Sequence, residues 1–188
     1  MDDQLDLFTS PRELAEGFRY RPELISPAEE RLLLEAIRAL PFKEFEFHGY
    51  VGKRRTVSFG SAYDFSREEL ETADPMPPFL IGLREAAAAF AGLPAADLRQ
   101  VLVTEYGPGA GIGWHRDKPV FRDVIGISLL SACPFRLRRR IGDEWERVTI
   151  QAEPRSAYLL SGPVRSEWEH SIPPVQAQRY SITYRSMR

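Results

Sequence analysis

The spacing of apolar residues divides the chain into a helical first half and a second half of short strands. Ser26 is a suitable helix N-cap, Pro27 fits the first helical position, and Glu29 stands where a capping-box partner would. This start predicts a helix that ends before Pro41. Its apolar face consists of Leu32, Leu33, Ile37 and Leu40. A second helix is predicted over residues 78–92. The positions spaced for its burial are Leu80, Leu83, Ala87 and Phe90.

From Val101 onward, short apolar or alternating runs are separated by Gly and Pro, which is typical of strands. The runs are VLVTEY, DVIGISLL, FRLRRRI, EWERVTI, SAYLLSG, SEWEHSI and RYSITYR. Gly142, between Ile141 and Asp143, predicts a hairpin that joins two of them. Several short strands at near-regular spacing indicate a β-sandwich or barrel in this half.

The domain organisation is predicted to be simple. Residues 1–25 mix Pro, Arg and acidic residues with short apolar pieces, and are interpreted as an N-terminal extension that wraps the domain or is partly mobile. No internal repeat, low-complexity tract or linker divides the rest. Residues 26–188 are therefore predicted to form one domain, a length that supports a sizeable core.

Composition narrows the classes of protein that fit. With 43% hydrophobic and 28% charged residues the chain is typical of a globular protein. A net charge of -2 excludes a uniformly basic nucleic-acid binder but permits a local basic face.

Cys133 is the single cysteine, and the acidic start MDDQLDLF lacks the layout of a signal peptide, so a reducing cytoplasm is expected. No apolar run approaches the ~20 residues of a membrane span, and a monomer without membrane contact is expected.

The segment EYGPGAGIGWHRDKP contains the first candidate for chemistry. On a strand, His115 and Asp117 would project to the same side while Arg116 points away. An imidazole and a carboxylate suit a divalent metal, and another histidine would complete the two-histidine, one-carboxylate site of non-haem Fe(II) oxygenases. His170 is the obvious third ligand and His48 is its rival. The triplet alone is a weak signal, because His and Asp also occur on solvated strand faces.

A second candidate is the C-terminal run RYSITYR. Arg179 and Arg185 fall on one face of a strand, with Ser181 and Thr183 between them. Two guanidinium groups and two hydroxyls that point the same way match a small dicarboxylate, because an arginine binds a carboxylate through paired charged hydrogen bonds. The alternative is a solvated basic edge strand.

The order of these motifs resembles the AlkB family of Fe(II)- and 2-oxoglutarate-dependent dioxygenases. Its elements are Y-x-P-G, H-x-D, a later histidine and R-x-S-x-T-x-R, with Phe59-Gly60 upstream, and they run from about Lys53 to Arg185. The resemblance implies an α+β fold with a double-stranded β-helix (jelly-roll) core and N-terminal helices packed against it. It also implies that Fe(II), 2-oxoglutarate and O2 are the cofactor and cosubstrates.

The resemblance also assigns residues. It implies that the iron ligands are His115, Asp117 and His170. Arg179 is expected to pair with the distal carboxylate of 2-oxoglutarate, Tyr106 to help hold the same cosubstrate, and Arg185 to lie near its metal-bound end.

Two departures from the family's founding pattern concern the cosubstrate pocket. Thr104 and Ser181 stand where that pattern has asparagines. Both can still hydrogen-bond, so both are predicted to contact the cosubstrate. The interval from His170 to Arg179 is short, which suggests a shortened loop near the mouth of the pocket.

Substrate contacts are predicted from basic and aromatic residues. Arg54, Arg55 and Arg138 belong to the basic runs GKRRTVSFG and FRLRRR, which could meet phosphates. An enzyme that acts on a base must hold it outside the stack against flat side chains, and Tyr50 or Tyr63 is predicted to do so. Solvated strand faces and ordinary core packing are the alternatives for these two sets.

The resulting prediction is an oxidoreductase that removes alkyl groups from N-alkylated bases in DNA or RNA. An N-methyl group that is hydroxylated leaves as formaldehyde, while 2-oxoglutarate becomes succinate and CO2. One alternative keeps the enzyme class but makes a protein side chain or a modified tRNA base the substrate. A second alternative is a non-catalytic jelly-roll binding module with structural histidines.

Overall fold

The computed structural model describes residues 15–47, 50–64, 69–72 and 74–188, and within them thirteen strands and three α-helices. The helices are α1 (Pro27–Arg38), α2 (Pro78–Ala91) and α3 (Gly162–Glu167). The first strands are β1 (Phe18–Arg21), β2 (Lys43–Phe47), β3 (Tyr50–Phe59), β4 (Ser61–Asp64) and β5 (Glu69–Thr72). The remaining strands are β6 (Leu98–Tyr106), β7 (Ile112–His115), β8 (Phe121–Leu129), β9 (Cys133–Ile141), β10 (Glu144–Ala152), β11 (Ala157–Leu160), β12 (Glu169–Ile172) and β13 (Arg179–Met187).

Helix α1 begins as the sequence predicts. The Ser26 side chain accepts from the Glu29 backbone N–H at 3.2 Å, and the Glu29 carboxylate accepts from the Ser26 N–H at 2.7 Å. These bonds satisfy two backbone donors that an uncapped helix would leave unpaired, and they lower the pKa of Glu29. Leu33 and Ile37 are buried, but Leu32 is 67% exposed. The prediction that Leu32 belongs to the buried face is therefore wrong, and Leu34 takes its place.

Helix α2 is confirmed with its predicted boundaries. It starts at Pro78 and ends before Gly92, whose φ of 72° is a left-handed C-cap that glycine adopts without strain. Leu80, Leu83 and Ala87 are buried as predicted.

A seven-stranded antiparallel sheet forms the larger layer, with strand order β1-β11-β8-β13-β6-β3-β2. Its edge strand β1 lies within residues 1–25, the segment predicted to be an extension, and pairs with β11 from Phe18 opposite Leu160 to Arg21 opposite Ala157. Part of the predicted extension therefore belongs to the main sheet. A separate two-stranded sheet joins β4 and β5.

A four-stranded antiparallel sheet, β10-β9-β12-β7, forms the smaller layer. From β6 to β13 the chain alternates between the two sheets, except that β9 and β10 are joined by the hairpin predicted at Gly142, whose φ is 57°. This alternation is the winding of a double-stranded β-helix, so the predicted fold class is confirmed.

Two cores lie on opposite faces of the larger sheet. Helices α1 and α2 cover one face, where Ile37 and Leu80 pack with Val103, Ile127 and Ile182. The smaller sheet covers the other face. Members of this second core are Tyr106, Phe121, Val124, Phe135, Leu137, Tyr158, Leu160 and Ile172. Alternate residues of the central strands thus point into different cores. Polar side chains that point away from the helices can therefore lie in the space between the two sheets.

Two local predictions need correction. The run SEWEHSI was predicted to be a strand throughout, but Ser166 and Glu167 end α3, and β12 begins at Glu169. The strands β2, β4 and β5 were not predicted. No helix in the described ranges is both long and apolar enough to cross a membrane.

Candidate active site

Two histidines meet on neighbouring strands of the smaller sheet. His115, the last residue of β7, is the register partner of His170 on β12, and their ring centroids are 4.2 Å apart. Directly opposed residues of an antiparallel pair point to the same side of a sheet. His170 also stacks on Phe135 of the core between the sheets, at 5.5 Å. Both rings therefore face the space between the two sheets.

Asp117 joins this pair from outside the strand. The sequence places the H-x-D triplet on one strand, but β7 ends at His115 and Asp117 lies in the segment that follows. The carboxylate is nevertheless buried beside the histidines, with its Oδ2 atom 3.6 Å from the Nε2 atom of His170. Its other oxygen, Oδ1, accepts a hydrogen bond from Arg185 at 3.0 Å.

The charges at this cluster favour a deprotonated donor set. Burial lowers the pKa of His115 and lowers that of His170 to about 3, so both rings are neutral at physiological pH. Burial alone would raise the pKa of Asp117, but the Arg185 guanidinium and neighbouring groups hold it well below its usual value. Neutral imidazoles and an ionised carboxylate are the forms that bind a metal.

The geometry fits a cation in two respects. Among the described residues, the buried Oδ2 atom of Asp117 has no hydrogen-bond partner. It lies 3.6 Å from Nε2 of His170, and the two atoms do not form a hydrogen bond. Nδ1 of His115 lies 2.8 Å from the Gly113 carbonyl. Since a carbonyl only accepts, Nδ1 carries the proton, and the unprotonated Nε2 has a lone pair that can bind a metal.

The donor set is not closed around an ion. In the part of the chain that the structure describes, no group of three His, Cys, Asp or Glu side chains already has the arrangement of a metal site. The Asp117 carboxylate forms an ion pair with Arg185.

A buried arginine occupies the same space between the sheets. Arg179 on β13 is 1% exposed, and its Nη2 donates to the Ser128 hydroxyl at 2.8 Å. Its guanidinium carbon lies 4.8 Å from the centre of the Tyr106 ring. Within the described ranges, Nε and Nη1 of Arg179 are buried without a hydrogen-bond partner. Two unpaired donors on a buried cation are costly unless an anion binds there.

The other predicted cosubstrate residues line the same strands. Ser181 is the register partner of Thr104, and both are buried on the face that Arg179 shares with Tyr106. Arg185, further along β13, links two groups: it donates to Asp117 and, at 2.8 Å, to the amide oxygen of Gln100.

The predicted substrate contacts fall in different places. Arg54 is the register partner of Tyr106, and its charge contributes to the lowered pKa of His115, so it lies near the site. Arg55 points to the opposite face of the sheet, where it forms an ion pair with Glu105. Arg138 lies on the outward face of the smaller sheet.

The aromatic predictions cannot be located in the same way. Tyr50 and Tyr63 belong to β3 and β4, and their side chains lie outside the described residues. His48, the rival ligand, is also outside the described residues.

Sequence reasoning missed several residues that complete the site. Ser128 orients Arg179, and Gln100 orients Arg185, each through a hydrogen bond. Both are polar residues within largely apolar strands, and the alternation of polar and apolar residues in the sequence could have revealed them. Arg165 donates to the carbonyls of Lys118 and Phe121 at 2.7 and 2.9 Å, bracketing the turn after Asp117. No sequence motif pointed to this residue.

The fold is a double-stranded β-helix, and its candidate site between the two sheets brings together His115, Asp117, His170 and Arg179. Residues 17–188 match the 2OG-Fe(II) oxygenase superfamily, and the chain belongs to that family. The predicted Fe(II), 2-oxoglutarate and O2 are confirmed at the level of the family, as is an oxidoreductase enzyme.

Curated relatives confirm the resemblance to AlkB. The chain is 29% identical over 183 residues to the Arabidopsis thaliana "Alkylated DNA repair protein ALKBH8 homolog", covering 84% of this chain and 51% of the relative. It is 28% identical over 148 residues to the Danio rerio "Probable RNA/DNA demethylase ALKBH6", covering 76% and 58%. The chain thus spans little more than half the length of these two relatives.

Solved structures show the same fold. "The structure of OsALKBH1" superposes with a TM-score of 0.68 at 16% identity, covering 92% of this chain and 99% of that one. A Pseudomonas putida prolyl-4-hydroxylase superposes with a TM-score of 0.61 at 13% identity, covering 92% and 93%.

Proposed function

We propose that the protein removes alkyl groups from N-alkylated bases of DNA or RNA by an oxidative reaction that yields formaldehyde, succinate and CO2. The observation that carries the proposal is the buried Arg179, whose Nε and Nη1 are unpaired among the described residues. Its guanidinium stacks on Tyr106, and Tyr106 belongs to the same core between the sheets as Phe135, which stacks on His170. A metal donor set and a carboxylate receptor between the same two sheets suit a metal-chelated keto acid.

The residues have distinct roles in this proposal. His115, Asp117 and His170 would hold Fe(II), and Arg179 would hold the distal carboxylate of 2-oxoglutarate over the Tyr106 ring. When bound, the iron and the keto acid together supply the oxidation of a substrate C–H bond by O2.

Neighbouring polar side chains hold these groups in place. Ser128 and Gln100 fix the directions of Arg179 and Arg185, so the cosubstrate meets a preorganised receptor. Burial also excludes water from Arg179, which strengthens its interaction with a carboxylate.

Support for a nucleic-acid substrate comes from Arg54 and from relatives. Arg54 lies on the same face as Tyr106, beside His115, where a cation can meet a phosphate next to the reacting base. The names of the Arabidopsis and Danio relatives refer to alkylated DNA and to RNA/DNA demethylation.

The test is anaerobic loading with Fe(II) and 2-oxoglutarate, followed by O2 and a single-stranded oligonucleotide with one N-methylated base. We expect succinate and formaldehyde in equal amounts from the wild type and neither from Asp117→Ala. The matched control is Glu35→Ala, which removes an exposed carboxylate from α1 and leaves activity unchanged. Succinate without formaldehyde would contradict the substrate class, and full activity of Asp117→Ala would contradict the metal site.

A second candidate substrate is a modified base of tRNA. It is favoured by a relative from Macaca fascicularis named "tRNA (carboxymethyluridine(34)-5-O)-methyltransferase ALKBH8", 26% identical, of which this chain covers 25%. Oxidation of tRNA nucleosides, with no formaldehyde from methylated oligonucleotides, would favour this candidate. Mass spectrometry of the nucleosides after incubation with total tRNA separates the two.

DNA repair, a cytoplasmic location and a monomeric state complete the proposal. Cys133 is the single cysteine of the chain, so no disulfide forms within the chain, as is usual for proteins of a reducing compartment. Light scattering in solution tests the monomer, and imaging of the tagged protein in its own cells tests the location.

A further inference from the structure

The outward face of the smaller sheet carries a concentration of arginine and tryptophan. Phe135 and Leu137 of β9 are buried between the sheets, so the alternate residues of β9 point outward. The register with β10 places Trp145, Arg147 and Thr149 on the same side. The outward arginines of these two strands are Arg136, Arg138, Arg140 and Arg147.

This face is basic although the chain as a whole is not. The outward positions of β9 and β10, all within the described residues, include four arginines and no acidic residue, whereas the whole chain has a net charge of -2. Glu169 on β12 and Asp143 at the hairpin are the neighbouring acids, paired with Arg138 and Arg140. An excess of positive charge therefore remains on one side of the molecule.

Two of these arginines oppose each other directly. Arg147 is the register partner of Arg138, so their side chains project side by side from neighbouring strands. Like charges in that position destabilise a sheet. Glu169 approaches Arg138 through Nε, the inner nitrogen of its guanidinium, at 2.7 Å. A bound anion that spans both arginines would remove the repulsion.

The arginines alternate with indole rings. The guanidinium carbon of Arg138 lies 4.4 Å from the Trp114 ring centre and 4.2 Å from that of Trp145. Arg136 also stacks on Trp114, at 5.0 Å. Flat rings interleaved with cations are the surface on which single-stranded nucleic acids bind, since bases stack on the rings and phosphates meet the charges.

The face is continuous with the candidate active site. Trp114 directly precedes His115, and Glu169 directly precedes His170. These neighbours lie on the reverse side of the same pair of strands. Because β7 is an outer strand of the four-stranded sheet, a chain that leaves the site can pass around it. Four strands spaced by about 4.8 Å make a surface about 14 Å wide.

From this arrangement we infer that the outward face of β7, β9, β10 and β12 binds the single-stranded nucleic acid that flanks the target base. The inference rests on the proposed function, because the nucleic acid bound on this face is the remainder of the strand whose alkylated base enters the candidate active site. It assigns to Arg140 and Arg147 contacts with phosphates and to Trp145 a stacking contact.

The test measures binding without turnover. Fluorescence anisotropy of an unmodified single strand of about 16 nucleotides, the upper site size of one single-strand-binding module, is recorded over a range of salt concentrations. Arg140→Gln/Arg147→Gln removes two charges whose hydrogen bonds to Gly142 and Trp145 are local to the hairpin and strand. We expect weaker binding and a slope of log K against log salt that is shallower by about 1.4, at about 0.7 per phosphate.

A matched control removes the same charge elsewhere. Arg21→Gln/Arg31→Gln changes exposed residues on β1 and α1, and we expect its affinity and salt slope to equal those of the wild type. Trp145→Leu tests stacking separately, with an expected loss of affinity of at least about fivefold. Its far-ultraviolet circular dichroism and melting temperature verify that the sheet is intact.

The outcomes separate this inference from the proposed function. The binding result stands even if no alkylated base is turned over. A modified mononucleoside has no flanking strand, so its turnover is expected to be equal in the wild type and the Arg140/Arg147 double variant. Wild-type affinity and salt slope in that double variant would overturn the inference. So would a wild type that binds an acidic peptide but not the oligonucleotide, which would indicate a protein partner.

Discussion

Replacing Arg179 with methionine should stabilise the unliganded protein and abolish its response to 2-oxoglutarate. Arg179 is 1% exposed, and its Nε and Nη1 have no hydrogen-bond partner in the described part of the chain. Each buried unpaired donor costs about 1–3 kcal/mol, and burial of the charge itself costs several kcal/mol more. Arg179→Met removes these costs and keeps an apolar chain of similar length.

The favourable interactions of the guanidinium are smaller than these costs. The charged hydrogen bond to Ser128 is worth about 1.5–3 kcal/mol. Stacking on Tyr106 is worth about 2 kcal/mol when desolvated. The balance favours the variant by at least about 1 kcal/mol, in line with buried charges that are replaced by apolar residues. For a chain of this size that raises the melting temperature by about 2–4 °C.

The assay is thermal unfolding with and without 2-oxoglutarate, in the presence of Mn(II) so that no turnover occurs. At about a hundred times its Kd, the cosubstrate stabilises the wild type by about 2.7 kcal/mol, which is about 5–11 °C. Arg179→Met should show no such shift. Arg55→Met is the matched control, since its side chain is 51% exposed on the other face of the sheet, and it should keep the full shift.

Two outcomes would contradict this expectation. Destabilisation of Arg179→Met by more than about 1 kcal/mol would mean that the arginine is a structural residue whose interactions exceed its desolvation cost. A full 2-oxoglutarate shift in the variant would mean that the dicarboxylate binds elsewhere.

Three further predictions concern the scaffold. Gly126→Ala should destabilise by about 1–3 kcal/mol, because its Cβ would lie 2.1 Å from Cζ of Tyr158; chemical denaturation measures it, and Tyr158→Ala in the same chain should recover part of the loss. The free energy of unfolding should fall as pH drops below about 6.5: the folded pKa of His170, about 3, lies below its unfolded value, so the unfolded chain binds more protons. Denaturation from pH 7 to 5 should show a shallower fall in His170→Asn, and an equal fall would contradict the assignment. Arg165→Met should weaken Mn(II) binding in calorimetry by freeing the turn after the H-x-D triplet, whereas Arg116→Gln, an exposed change, should not.

Much of the fold could be predicted because its signals are local. The capping box of α1 is a short-range pattern and appears where the sequence predicts it, and α2 occupies the range that the spacing of its apolar residues predicts. The alternation in β13 correctly placed Arg179 and Ser181 on one face, because strand periodicity does not depend on the partner strand. Strand β1 escaped prediction since its order depends on a distant partner, β11.

The candidate site was predictable as a set of residues but not as a geometry. Asp117 reaches the histidines from beyond the end of β7, held by Arg185 rather than by the strand alternation that the sequence suggested. Adjacent basic residues were also treated alike, although Arg54 and Arg55 face opposite sides of β3. Strand alternation separates the two residues, but which face of β3 turns toward the site depends on its long-range pairing with β6, and a single sequence does not contain that pairing.

Anaerobic equilibrium dialysis against Fe(II) decides whether the two histidines and the aspartate between the sheets form an iron site. We expect one tightly held iron per chain in the wild type and in the control Glu35→Ala. Separate alanine variants at His115, Asp117 and His170 should each lose it while their circular dichroism stays that of the wild type. Retention of one iron by all three variants would contradict the assignment, because the metal would then bind away from the space between the sheets.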